Sequence, residues 1–206
     1  IKSERDIRVY DRSMVVQAII EFDIEETRAI NDSMIPIKVE DGWKYYNYTE
    51  KQFIEEVFAD ASSFISGVAA VSNGTEWFLI DKQGNRVGSQ SFENVKLYDN
   101  GEYQYNNVMV AKKDGWYSLF SGRGDSLNGF TANRMDAYYG GLIAFENEAG
   151  KWGYVNSEGT VVIEPQYDNA KSFSNNYGAV QENGLWGYIN QKNELAIQAQ
   201  FLEVGY

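Results

Sequence analysis

The five tryptophans of this chain, Trp43, Trp77, Trp116, Trp152 and Trp186, recur at separations of 34, 39, 36 and 34 residues (77−43, 116−77, 152−116, 186−152). A period near 35 residues constrains the fold more than any single motif. Each copy has to form one supersecondary unit, and such units cohere by stacking on their neighbours. The flanks keep the same phase. An aromatic stands fifteen residues after most of these tryptophans, at Phe58, Phe92, Tyr167 and Phe201, with Phe130 at fourteen after Trp116. Another stands at twenty-one, at Phe64, Tyr98 and Phe173. A glycine-containing turn precedes each tryptophan, at Asp41-Gly42, Asn73-Gly74, Asp114-Gly115, Gly150 and Asn183-Gly184. A sixth copy opens the chain. Aligning Phe22-Asp23 with Tyr167-Asp168 puts Ile7 at the tryptophan position, 36 residues before Trp43 (43−7).

Within a copy the pattern is that of strands. Trp152-Gly153-Tyr154-Val155-Asn156 alternates aromatic and β-branched residues, Ser157-Glu158-Gly159 is a turn, and Val161-Val162-Ile163 runs to Pro165, which cannot donate to a ladder. Gly178-Ala179-Val180 begins a third strand, and Asn183-Gly184 is a strong hairpin signal. The expected fold is therefore all-β: tandem three-stranded antiparallel meanders stacked as an open superhelical array, with a closed β-propeller as the alternative. Propeller blades usually carry four strands in about 40–45 residues, and this unit is smaller. Residues 1–206 are expected to form a single repeat array with units beginning near Ile7, Trp43, Trp77, Trp116, Trp152 and Trp186. The last unit stops before its return segment.

Lys151-Trp152-Gly153-Tyr154-Val155-Asn156, followed by Val162-Ile163-Glu164-Pro165-Gln166-Tyr167-Asp168, resembles the bacterial WG-repeat (KWG-repeat) family, and Leu185-Trp186-Gly187-Tyr188-Ile189-Asn190 is a second match. The resemblance is specific over about residues 147–201. Elsewhere Lys44, Phe78 and Tyr117 replace the glycine. It implies a bacterial repeat protein, supplies no catalytic residues, and names no ligand.

Composition narrows the chemistry. The chain has no histidine and no cysteine, which removes the commonest general base and metal ligand, every thiolate site and every disulfide. A formal charge of −12 repels phosphate backbones and anionic lipid, so nucleic acid is not an expected partner. No apolar run reaches the ~20 residues of a membrane helix, and no membrane insertion is expected. No cofactor and no metal site is expected: the Asp/Asn-rich turns lack the distal glutamate of a Ca²⁺ loop. Glu25-Glu26 and Glu55-Glu56 are adjacent acids, which on a strand point to opposite faces.

The expected function is non-catalytic binding or scaffolding, with a protein or glycan as ligand. A structural spacer within a longer chain and a carboxylate-type carbohydrate-active enzyme are the alternatives. The tryptophans are expected in the core, and the binding surface at aromatics outside the repeat phase. These are Tyr103 and Tyr105, in an insertion over residues 99–106, and Tyr138 and Tyr139 in the next copy. Arg123-Gly124-Asp125 spells an adhesion tripeptide, but Gly and Asp are also what a turn needs. Self-association through the uncapped last repeat is a further expectation. The chain begins at Ile1 without a methionine, so export to the surface or periplasm is expected in preference to the cytoplasm.

Overall fold

A computed structural model of the chain describes residues 5–10, 16–22, 24–98 and 101–205. Among the described residues every element is a strand, and every pairing is antiparallel. The chain divides into two compact units, one of residues 1–90 with 99–102, the other of residues 91–98 with 103–206.

The first unit holds three sheets. The first sheet is the pair β1 (Arg5–Tyr10) and β2 (Val16–Phe22). The second runs β3 (Glu26–Thr27), β4 (Met34–Val39), β5 (Gly42–Asn47) and β6 (Gln52–Phe53), and the third β7 (Asp60–Ala61), β8 (Val68–Ser72) and β9 (Trp77–Asp81). The second unit holds three sheets of four strands each. The fourth sheet is β10 (Asn94–Val95), β11 (Val108–Lys113), β12 (Trp116–Ser121) and β13 (Ser126–Ala132). The fifth is β14 (Arg134–Met135), β15 (Ile143–Glu146), β16 (Trp152–Val155) and β17 (Val161–Tyr167). The sixth is β18 (Asn169–Ala170), β19 (Tyr177–Glu182), β20 (Leu185–Asn190) and β21 (Leu195–Phe201).

The repeat is thus confirmed as small antiparallel sheets, and the three-stranded meander is corrected to four strands in the second, fourth, fifth and sixth sheets, while the third has three. The additional strand is only two residues long, as at Asn169–Ala170, and too short to show alternation in sequence. From the second sheet on, a sheet therefore starts seventeen or eighteen residues before its tryptophan, and twenty-two in the fourth sheet, rather than at it, and the tryptophan strand is third.

One copy is out of register with its own tryptophan. In the fifth and sixth sheets Glu146 faces Trp152 and Gln181 faces Trp186 across the hairpin, and Trp152 and Trp186 face Tyr167 and Phe201. In the fourth sheet the corresponding partners are Lys112 with Tyr117, and Tyr117 with Ala132. Tyr117, not Trp116, occupies the repeat position. Trp116 is accordingly 39% exposed and Trp77 half-buried, whereas Trp43, Trp152 and Trp186 are buried. The expectation of a core role for all five fails at Trp116, because a one-residue shift turns a strand side chain to the other face.

Neighbouring sheets within each unit share alternating faces. Ile35 and Ile37 of β4 meet Val9 of the first sheet, while Met34 joins Trp43, Tyr45, Phe58, Phe64 and Val71 between the second and third. In the second unit Ile143 and Phe145 meet Val108, Val110 and Leu119 of the fourth sheet. Leu142 and Ala144 instead meet Ala170, Phe173 and Val180 of the sixth.

A polar device crosses two of these seams. Two residues after the tryptophan, Tyr45 donates to Ser62 O at 2.6 Å, and Tyr154 donates to Lys171 O at 3.1 Å and Ala179 O at 3.0 Å. Each ring also meets the Phe that stands twenty-one after the tryptophan: Tyr45 with Phe64 at 4.8 Å, Tyr154 with Phe173 at 4.9 Å, both edge-on. Burial pushes the Tyr154 hydroxyl well above its ordinary range, so it remains a donor.

The glycine of the Trp-Gly pair has a local cause. The fourth strand crosses so close that a Cβ at Gly153 would lie 2.5 Å from Ile163 O and 2.7 Å from Pro165 N. At Gly187 it would lie 2.6 Å from Ile197 O and 2.8 Å from Ala199 N. Both ladders break register there. The equivalent residue beside the seven-residue β13 is Ser118, whose Oγ donates to Phe130 O at 2.6 Å. Where the following strand is only β6 the residue is Lys44, and where a lone bridge from Ile80 to Arg86 replaces a strand it is Phe78.

Candidate functional site: a cationic cleft at the tryptophan positions

The expected tyrosine platform does not form as one exposed surface. Tyr103 is fully buried, donating to Gly122 O at 2.6 Å and accepting from Gln104 Nε2 at 2.8 Å. Tyr138 is buried too. It lies twenty-one residues after Tyr117, at the repeat position of Phe64 and Phe173, so it is a core ring rather than one outside the phase. Tyr105 is 44% exposed and meets Tyr138 edge-on at 5.8 Å. Tyr139 is half-buried and meets Tyr98 edge-on at 5.0 Å, and the Tyr98 hydroxyl donates to Tyr138 O. Tyr105, Tyr138, Tyr139 and Tyr98 are thus brought together as a self-bracing cluster, with Tyr103 apart from it. Of the insertion, Asp99 and Asn100 lie outside the described residues, and Glu102 accepts from Asn31 Nδ2 at 3.1 Å within the first unit.

Arg123-Gly124-Asp125 forms the turn between β12 and β13. Gly124 has φ +87° and donates to Ser121 O at 2.9 Å, while Ser121 Oγ accepts from the amides of Arg123 and Asp125. Asn156, Asn190 and Asp81 hold the corresponding turns the same way. Arg123 and Asp125 are exposed and Gly124 is buried.

A feature the sequence reading missed lies one residue beyond three of the two-residue strands, β3, β10 and β18, where Arg28, Lys96 and Lys171 stand beside the aromatic of the same sheet; after β7 and β14 that place holds Ser62 and Asp136. The Arg28 guanidinium sits 4.1 Å from the Trp43 ring centroid, and Lys96 Nζ 5.1 Å from that of Tyr117. Such contacts contribute about 0.5–1 kcal/mol when exposed and more when dry. In the first unit Arg28 is fully engaged, pairing with Asp60 at 2.8 Å and donating to Ala61 O.

In the second unit Lys96 and Lys171, with Arg134 of β14, border a cleft of about 280 Å³. Its walls include Tyr117, Trp152 and Trp186 together with Lys96, Arg134 and Lys171. Asp136 is the one acid among the lining residues, and its carboxylate accepts from the amides of Ala137 and Ser172, both at 2.9 Å. Arg134 Nε lies 3.1 Å from Glu146, and Lys171 Nζ donates to Val204 O at 2.9 Å. Three cations and one acid thus line the cleft, with Arg134 paired to Glu146 and Lys96 lying over the Tyr117 ring. The one sequence signal was a cation fifteen residues before a tryptophan, at Arg28 and Lys171.

No curated protein matches this sequence. Among solved structures, the chain is similar to KlHsv2 with loop 6CD replaced by a Gly-Ser linker, at 13% identity and TM-score 0.54, covering 92% of this chain and 71% of that one. It is also similar to Hsv2 of Kluyveromyces marxianus, at 12% identity and TM-score 0.52, covering 79% of this chain and 56% of that one. BamB from Moraxella catarrhalis aligns at 9% identity and TM-score 0.49, over 92% of this chain and 69% of that one. The two Hsv2 structures are β-propeller-like, and identities this low speak to fold alone. The WG containing repeat matches twice, over residues 152–186 and 186–206. Both matches fall in the fifth and sixth sheets, so over residues 152–206 the chain matches the WG containing repeat.

Proposed function

We propose that this protein is a non-catalytic recognition module, and that its ligand is an anionic saccharide bound at the Tyr117–Trp152–Trp186 cleft. The observation that carries this reading is the gathering of Lys96, Arg134 and Lys171 around Tyr117 and the edges of the cleft floor formed with the buried Trp152 and Trp186, in a strongly acidic chain. The half-buried Tyr117 offers apolar surface to sugar C–H groups, and the cations select carboxylate-bearing sugars over neutral ones. The rest of the surface repels anionic polymers, which favours this entry over others. The four-stranded second, fourth, fifth and sixth sheets read as propeller-type blades, supported by their strand count and by the likeness to Hsv2.

The test is calorimetric titration with oligogalacturonate and with a neutral oligosaccharide of equal length, on the native chain and on Lys96→Met and Lys171→Met. Binding of the acidic oligomer that weakens at higher salt, and in both variants, is expected. Equal binding of the neutral oligomer, or undiminished binding by both variants, overturns the reading.

A further inference from the structure

We infer, resting on the saccharide reading of the cleft, that it takes one acidic sugar unit at a time and that Lys96 is the residue that holds the carboxylate. The three cations bordering the cleft are not equivalent. Arg134 Nε is paired with Glu146 at 3.1 Å, and Lys171 Nζ donates to Val204 O at 2.9 Å. Lys96 Nζ lies 5.1 Å from the Tyr117 ring centroid and, among the described residues, meets no carboxylate or carbonyl. An ammonium carries three donors, and the ring attracts its charge without supplying an acceptor oxygen.

The same position in other sheets explains why Lys96 is unengaged. Arg28 donates to Ala61 O and Lys171 to Val204 O, each the carbonyl thirty-three residues further on (61−28, 204−171). Ala61 closes the two-residue strand β7, so the Arg28 bond ties the second sheet to the third. For Lys96 the matching residue is Met135, which closes β14 thirty-nine residues on (135−96). Lys96 lies over Tyr117 instead of bonding there. The Tyr117 hydroxyl donates to Asn94 Oδ1 at 3.3 Å, which holds the ring to the strand that Lys96 follows. A cation that ties sheets together elsewhere thus keeps its donors for a ligand in the fourth sheet.

The charges set the number of anions. Lys96, Arg134 and Lys171 stand against Asp136 and Glu146, which leaves one positive charge (3−2). A second carboxylate in the cleft would lose hydration and meet either Asp136 or a cation already engaged, so it gains no new ion pair. One uronate satisfies the site, with its apolar ring face against Tyr117.

Calorimetric titration with trigalacturonate, with the trimer methyl-esterified at all but one carboxylate, and with the fully esterified trimer tests this on a constant sugar backbone. The native chain is expected to bind trigalacturonate no more than about threefold tighter than the mono-acid, the statistical advantage of three positions, and to lose at least about tenfold on the last ester. Lys96→Met keeps the aliphatic stem and should lose at least about tenfold toward both acidic trimers, with Lys96→Arg restoring most of it, while Lys171→Met loses less than about threefold. Trigalacturonate binding about tenfold or more tighter than the mono-acid overturns the single-anion site, and equal losses in Lys96→Met and Lys171→Met overturn the assignment to Lys96. Acidic sugars still bind in both of those cases, so the saccharide reading stands. If neither acidic trimer binds better than the fully esterified one, that reading fails and the inference fails with it. The ester series on the native chain needs no variant to fold.

Discussion

Replacing Gly153 by alanine should cost far more than a single methyl group suggests. Backbone atoms of Ile163 and Pro165 would lie 2.5–2.9 Å from the new Cβ, with no flexible side chain to yield. The strand has to retreat from Trp152, loosening the ladder between Trp152 and Tyr167 on which the fifth–sixth seam is built. Forced overpacking of this kind costs about 1–3 kcal/mol. For a chain of this length each kcal/mol moves the melting temperature by about 2–4 °C, so a drop of about 3–10 °C is expected by calorimetry. Two controls separate the mechanism from a generic glycine effect. Gly129 in β13 has open space around its Cβ position, so Gly129→Ala should leave the melting temperature unchanged or raise it slightly, by limiting the unfolded chain. Gly184 also has open space but sits at φ +80°, and Gly184→Ala should lose about 1–2 kcal/mol through backbone strain alone. If Gly153→Ala melts with Gly129→Ala, close strand approach is not the reason for the Trp-Gly pair.

Exchanging the neighbours in the fourth sheet should invert the usual order of aromatic importance: Trp116→Ala is expected to be nearly silent in thermal melts, and Tyr117→Ala clearly destabilising. Tyr154→Phe keeps the ring against Phe173 but removes the hydroxyl donor from the carbonyls of Lys171 and Ala179, the latter still accepting from the Lys171 amide, a loss of about 1 kcal/mol by denaturant titration. Tyr103→Phe should likewise destabilise without altering ligand affinity, since its hydroxyl is spent on Gly122 O. Acid sensitivity has a defined sign. In Asp81 burial raises the pKa, but hydrogen bonds from Asn85 and Gln83 outweigh it; in Asp168 the bond from Lys151 and then the Asn183 amide lower it. A carboxyl with a depressed folded pKa stabilises above its unfolded value of 3.8 and loses that contribution as pH falls through the folded one. Stability should therefore decline below about pH 4, and Asp81→Asn with Asp168→Asn should flatten that decline in a pH series of melts.

The period, the hairpins and the pairing of aromatics fifteen apart were legible in the sequence, because tryptophan is rare and Asn-Gly turns have few alternatives. Two adjacent aromatics, Trp116 and Tyr117, hid the register of the fourth sheet. Choosing the tryptophan displaced everything downstream by one and made the core ring of Tyr138 look like surface. The two-residue strands escaped because two residues carry no periodicity, and sheet boundaries went with them. The cleft was illegible for a related reason: Lys96 lies twenty-one residues before Tyr117, but Lys171 only fifteen before Trp186, the difference being the insertion that carries Tyr103. Only folding aligns the cations.

The side chain after the tryptophan position has a consequence for how such arrays diverge. Gly153, Gly187 and Ser118 leave room for a seven-residue neighbour, whereas Lys44 and Phe78 stand where that neighbour has shrunk to two residues or to a single bridge. The residue after the tryptophan position thus varies together with the length of the strand beside it, and where that strand is lost the freed place is filled by a core ring, Phe78, packed with the residues between the second and third sheets.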